Sequence, residues 1–176
     1  MSRQLQLLRT AVAPRRAIAG HGLLDPSVTR LRVRLGDLDM YRHVNNGVYL
    51  QMMDVARTNL LADLGMLRLL ADRGWYPVVA ASTVKYRRSL RLGERFTVTT
   101  TVVGWDERVV YLDQVFRRGP DLVARAVVAG RFLSRGGDRI PAPAVAALLG
   151  HHDPSPALPD DVAAWAAAFD VAHRDA

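Results

Sequence analysis

Apolar positions change their spacing along this chain, and the spacing predicts the elements. Thr29 to Leu35 alternates Arg30, Arg32 and Arg34 with Leu31, Val33 and Leu35. A period of two marks a strand with one buried face. From Val48 to Leu64 the period lengthens: Tyr49, Met52, Met53, Ala56, Leu60 and Leu64 recur at steps of three and four. That places them on one face of a long helix, with Gln51, Asp54, Thr58 and Asp63 largely opposite. Asn45 or Asn46 is a suitable N-cap, and Gly65 a suitable stop. So wide an apolar face should lie against a sheet.

The strand period then returns. Pro77 to Arg88 carries Val78, Val79, Ala80 and Ala81 in a row, so its start reads as buried on both faces. Arg95 to Trp105, Arg108 to Arg117 and Leu122 to Ser134 follow, rich in valine and threonine and joined by short turns. Short connections make an antiparallel meander. Strand, long helix, then four strands is an α+β order, with one helix against a sheet of about five strands. Residues 28–140 form this domain. Residues 1–27 read as an arm, with a short helix from Gln4 to Ala13 stopped by Pro14, and the arm is expected to be exposed or packed on a partner. Residues 141–176 read as an extension with short helices at Val145–Leu149 and Asp161–Ala172, the second capped by Asp160. The arm is rich in arginine and the tail in aspartate, so the two ends are expected to attract each other, within a chain or across a dimer.

Composition narrows the function. The net charge is +7, almost all of it arginine, with Lys85 the only lysine. The basic residues are scattered and form no long run, which argues against a nucleic-acid partner. The stripe of Arg30, Arg32 and Arg34 reads as a solvated strand face or as an edge that attracts phosphate. No apolar stretch approaches a membrane span. The first residues are broken by arginines and hold no secretory h-region. A cytoplasmic location is the expectation. There are no cysteines, which removes disulfides, thiolate metal sites and a Cys nucleophile.

The reactive chemistry is concentrated between the first strand and the helix. Asp37-Leu38-Asp39-Met40-Tyr41-Arg42-His43-Val44-Asn45-Asn46-Gly47-Val48-Tyr49 holds two carboxylates, an imidazole and two amides. A carboxylate just before a helix N-terminus sees the positive end of the dipole. Asp39 can then serve as general base on water or attack a carbonyl directly. Unpaired N–H groups at the helix mouth, near Asn46 and Gly47, can polarise a carbonyl oxygen. His43 is a second base, an orienter of Asp39, or a donor to substrate. Asp37 satisfies N–H groups in the turn. Asn45 and Asn46 cap the helix, and Tyr49 belongs to the core. No G-x-S-x-G is present, so a serine triad is not signalled. Neither Asp37, Asp39 and His43 nor the adjacent His151-His152 makes a convincing metal set.

The pattern D-x-D-x-x-x-H-x-N-N-x-x-Y, a helix, then T-x-x-Y-R-R resembles the hotdog-fold acyl thioesterases over about residues 28–135. The likeness is to the 4-hydroxybenzoyl-CoA thioesterase-like group, to plant acyl-ACP thioesterases, and to THEM6-like proteins. It implies a long helix wrapped by a curved antiparallel sheet, a homodimer or dimer of dimers paired through sheet edges, and a site at their interface. It places the catalytic carboxylate on Asp39 and the motif histidine on His43. The implied substrate contacts are Tyr41, Asn45, Asn46, Gly47, Thr83, Arg87 and Arg88, the last two meeting phosphates. The chain departs from the plant pattern at Tyr41, where those enzymes carry Asn, and at Ser89, where they carry an acid. The expected function is hydrolysis of an acyl-CoA or acyl-ACP, with CoA or phosphopantetheine arriving as part of the substrate and no separate cofactor or metal. The alternatives are an acyl-thioester-binding protein without turnover, or a hydratase or polyketide-tailoring enzyme on the same fold.

Overall fold

The computed structural model describes residues 2–171. Helix α1 (Arg3–Val12) opens the chain, capped by the Ser2 side chain on the Leu5 N–H. Strand β1 (Ser27–Arg32) buries Ser27, Thr29 and Leu31 and exposes Arg30 and Arg32. The predicted alternation therefore holds, and Val33 extends the buried face. The chain then leaves the sheet, so Leu35 is exposed in a short 3-10 turn (Leu35–Asp37).

Helix α2 (Asn46–Asp63) is the long helix expected. Met52, Met53 and Ala56 have no exposed surface, and Tyr49 and Leu60 are buried beside them. Gly65 stops the helix region in the left-handed conformation, at φ 67°, where a Cβ would be strained. A second helix, α3 (Met66–Arg73), follows at once and buries Met66 and Leu70. It was not foreseen, because its eight residues are too few for a periodic signal to stand out.

Strands β2 (Trp75–Tyr86), β3 (Arg95–Trp105), β4 (Val110–Arg118) and β5 (Asp121–Ser134) complete the main sheet. All pairings are antiparallel, in the order β1-β3-β4-β5-β2, and a two-residue β6 (Arg139–Ile140) adds to β5. The inner face packs on α2 through Phe96, Val98, Phe116 and Val128. This is the hotdog arrangement of one helix and a curved antiparallel sheet.

Inside it sits a polar network. Gln114, fully buried on β4, donates to Thr100 Oγ1 at 2.9 Å and to the Met53 carbonyl at 3.2 Å. Its Oε1 accepts from Arg57 Nη1 at 2.7 Å, and Arg57 also pairs with Asp54. Burial lowers the pKa of this guanidinium, which the Asp54 carboxylate opposes. These bonds fix the seat of α2 on the sheet, since leaving any of the buried groups unpaired is costly.

Three expectations are corrected. The start of β2 is not buried on both faces: Pro77, Val79 and Ala80 are exposed, because β2 is the last strand of the sheet and pairs only with β5. Pro77 suits such an edge, having no N–H to donate. The arm is neither exposed throughout nor left for a partner, since α1 packs along α2 of its own chain. The charged pairs that anchor the two described ends run to the domain between them. Arg3 and Arg15 of the arm bind Asp37 and Asp63, while Asp161 of the tail binds Arg125 on β5.

The tail covers the outer face of the sheet. Helix α4 (Ala142–Ala147) lies against the core, and helix α5 (Asp160–Ala168) seats Val162 on Val109, Tyr111, Val127 and Ala129. The last residue of the predicted second tail helix, Ala172, lies outside the described residues. Among the described residues no helix is long and apolar enough to cross a membrane.

The tail crosses β3 at Gly104, beside a bulge in the β3–β4 pairing. A Cβ there would stand 2.7 Å from Leu158 Cδ2, 2.9 Å from Ser155 Oγ and 3.1 Å from the Pro156 carbonyl. Gly104→Ala should therefore destabilise the fold by about 1–3 kcal/mol, read as a lower urea midpoint with unchanged slope.

Candidate active site

The loop between β1 and α2 is closed on itself. Asp39 N–H donates to the His43 carbonyl at 2.8 Å and Arg42 N–H to the Asp39 carbonyl at 3.0 Å. Arg42 turns the chain with φ 62°, an uncommon conformation for a side-chain-bearing residue. Val44 N–H donates to the Leu90 carbonyl at 3.0 Å, pinning the loop to the β2–β3 connection.

This closure aims Asp39. Its Oδ1 accepts from the N–H groups of Tyr41 at 2.8 Å and His43 at 3.1 Å. Its Oδ2 accepts no hydrogen bond from any described residue. One oxygen is thus held by backbone, and the other is not engaged by any described residue. His43 orients Asp39 through its main chain rather than its ring.

Asp37 is more than a turn residue. It is buried and accepts two bonds from Arg3, Nε to Oδ1 at 2.9 Å and Nη2 to Oδ2 at 2.6 Å, as well as the Arg34 N–H at 2.7 Å. Its carbonyl accepts the Asn45 N–H at 2.9 Å. A buried two-pronged ion pair therefore fixes the approach to the helix mouth.

At that mouth Asn45 is the N-cap, its Oδ1 accepting from Gly47 N–H at 2.8 Å. This corrects one expectation: the Gly47 N–H is already bonded to the cap. Among the described residues the Asn46 N–H has no partner and is the donor left at the helix end. The Asn46 carbonyl accepts from the Tyr86 hydroxyl at 3.2 Å.

A cleft of about 270 Å³ gathers Asp39, His43, Asn46, Tyr86, Arg87 and Arg88. Arg88 lies 3.7 Å from Asp121, a loose surface pair. Tyr49 lies at the base of the cleft and packs edge-on against Tyr86 at 5.1 Å between centroids. Burial pushes its phenol up to about 12, so it stays neutral. On the other side of Asp39 a groove of about 610 Å³ holds Tyr41, Arg42, His43 and Arg91. Tyr41 is 74% exposed and does not close over Asp39. Thr83 is exposed on β2 opposite Val127 and lines neither cleft. Tyr86, Ser89 and Arg3 were not singled out from sequence as functional. Tyr86 carried a signal, standing directly before Arg87 and Arg88, whereas the pairing of Arg3 with Asp37 joins positions too distant for any local pattern.

A carboxylate held at the mouth of a helix enfolded by an antiparallel sheet is the arrangement of a hotdog-fold protein. The chain belongs to the Thioesterase-like superfamily, whose family model it matches over residues 33–166. It is 38% identical over 109 residues to Protein THEM6 of Danio rerio, covering 62% of this chain and 54% of that protein. It is 29% identical over 102 residues to the long-chain acyl-CoA thioesterase FadM of Escherichia coli (strain K12), covering 57% of this chain and 77% of that one. The chain spans little more than half the length of the first of these relatives. Among solved structures, the probable thioesterase YbaW from Escherichia coli superposes with a TM-score of 0.65 at 23% identity, over 72% of this chain and 97% of that chain.

Asn45→Ala should remove the cap and cost about 1 kcal/mol of stability, measured by thermal unfolding. Asn45→Asp, which keeps an acceptor for the Gly47 N–H, should restore most of it.

Proposed function

We propose that this protein hydrolyses acyl thioesters of CoA or of a carrier-protein phosphopantetheine. The observation that carries the reading is Asp39, with one oxygen fixed by two N–H groups and, among the described residues, the other unpartnered, in a cleft shared with the Asn46 N–H that no described residue engages. The Asn46 N–H polarises the thioester carbonyl and holds the oxyanion that develops on it. Asp39 takes a proton from water as the water oxygen bonds to the carbonyl carbon. Collapse of the tetrahedral intermediate breaks the C–S bond and returns the proton to the departing thiolate. The products are a free acid and a thiol. His43, in the same cleft, assists as a donor. Arg87 and Arg88 bind phosphates of the thiol carrier. FadM, acting on long-chain acyl-CoA, is a relative whose substrate fits this chemistry.

The acyl chain needs an apolar berth. A cavity of about 280 Å³ lies between α2 and the sheet, lined among others by Leu60, Leu64, Val78, Val102, Val128 and Phe132. Within one chain it is remote from Asp39. Asp54, the wall residue of α2 nearest the mouth, is eight residues beyond Asn46, roughly 12 Å at the rise of a helix. Its lining reaches the surface at Pro77 and Val79, on the unpaired edge of β2. Pairing β2 antiparallel with β2 of a second copy about an axis between Ala81 and Ser82, near the middle of the strand, sets Pro77–Val79 of one copy beside Val84–Tyr86 of the other. Because Tyr86 holds Asn46, the cavity of one copy then opens next to the helix mouth of its mate. A long unpaired edge with exposed Val79 and Tyr76 also favours such pairing. The site is accordingly read as shared by a homodimer.

Asp39→Asn should lower kcat for acyl-CoA hydrolysis by about 10²–10⁴-fold, followed by thiol release across a panel of acyl-CoAs. Turnover equal to the wild type would remove Asp39 from the mechanism. Val79→Glu, which sets a charge on the apolar edge of each copy beside Val84 of its mate, should give monomers in sedimentation velocity with hydrolysis lost. A fully active monomer would defeat the shared site.

A further inference from the structure

The apolar cavity is not closed by the sheet and α2 alone. Leu7 of α1 and Leu23, both half-buried, complete its lining. Both precede residues 33–166, the part of the chain that matches the family. The hotdog core therefore leaves this side open, and the arm covers it.

The arm is anchored at two points. At its start Arg3 is buried in its pair with Asp37 and donates to the Arg32 carbonyl at 2.7 Å. Beyond its end Arg15 pairs with Asp63, which is 1% exposed, and bonds Ser27 Oγ at 2.8 Å and the Val28 carbonyl at 3.0 Å. Ile18 N–H donates to the Asp63 carbonyl at 2.9 Å. Asp37 precedes the start of α2 and Asp63 ends it, so α1 runs beside α2 in the same direction. With a buried carboxylate at each end, the segment that carries Leu7 cannot slide or lift without stranding a charge.

We propose that α1 is the fixed outer wall of the acyl cavity and that Leu7 sets the length of chain the cavity takes. The inference rests on the thioesterase reading only in taking a straight acyl chain as the ligand. The chemistry of the cavity favours that class. Its lining is aliphatic and aromatic, and its charged pair Asp54 and Arg57 is internally bonded and also tied to Gln114. A rigid wall discriminates by length, since each methylene beyond the space available loses its burial and forces a clash.

The experiment titrates the full chain with non-hydrolysable S-alkyl-CoA thioethers, from butyl to hexadecyl, by calorimetry. The wild type, Leu7→Trp and Leu7→Ala are compared. Wild-type affinity should rise with chain length and then break. Leu7→Trp should move the break to shorter chains and Leu7→Ala to longer ones, with affinity at the wild-type break changed on the order of tenfold. Opposite shifts from the two variants exclude a general loss of folding as the cause. A break at the same length in all three proteins, or no dependence on length in the wild type, would overturn the proposal and leave α1 a brace. The readout needs no turnover. Length-dependent binding that moves with residue 7, in a protein that hydrolyses no acyl-CoA, would sustain the wall and defeat the thioesterase reading instead.

Discussion

Everything in this protein depends on burying one face of α2. Isolated helices of this length are marginal in water, and packing of the apolar face supplies most of their stability. Tyr49, Met52, Met53, Ala56 and Leu60 have almost no exposed surface, and the inner faces of β3, β4 and β5 are what cover them. The Gln114 network then removes rotational freedom, because a turned helix would leave Arg57 or Gln114 unpaired in the core. Once α2 is seated, its N-terminus is fixed in space, and so is the dipole end that the site uses.

The site is the result of tying a polar loop to that fixed end. Val44, Asn45 and Asp37 hold the loop by main-chain bonds, and the loop in turn holds one oxygen of Asp39. In the proposed reaction, preorganised donors and a preorganised base require no rearrangement when charge develops. The buried pair of Arg3 with Asp37 extends the same frame to the arm. Breaking such a pair from one side costs about 3–5 kcal/mol in general, since the remaining charge is stranded. The arm is therefore a structural member of the site and not an appendage.

The tail works on the opposite face. Val109, Tyr111, Val127 and Ala129 point away from α2 and are covered by Val162 and Val171. Strands β4 and β5 are thus buried on both sides, whereas β2 is buried on neither side at its start. The Arg125 bond holds the Asp161 carboxylate below the usual range, so this anchor of α5 persists at neutral pH and is lost as pH falls through the lowered value.

Hydrophobic spacing determined the strands, the long helix, the α+β order and the antiparallel run β3-β4-β5, because period two and period three-to-four are local properties of a chain. It did not show that β2 leaves the expected meander and pairs with β5 rather than β3. The cluster of Asp39, His43, Asn45 and Asn46 before a helix was legible for the same reason, and so was the capping role of Asn45. Local spacing does not distinguish a strand buried inside the fold from one whose apolar run faces an open edge, so the exposed start of β2 is not legible in it. Nor could it show that Gly47 gives its N–H to the cap, that Tyr41 turns outward, or that Arg3 reaches Asp37. Those outcomes depend on contacts between residues far apart in sequence, which exist only after the sheet has closed around α2. Tertiary structure alone decided which oxygen of Asp39 the backbone holds, and which residues of the arm line the cavity.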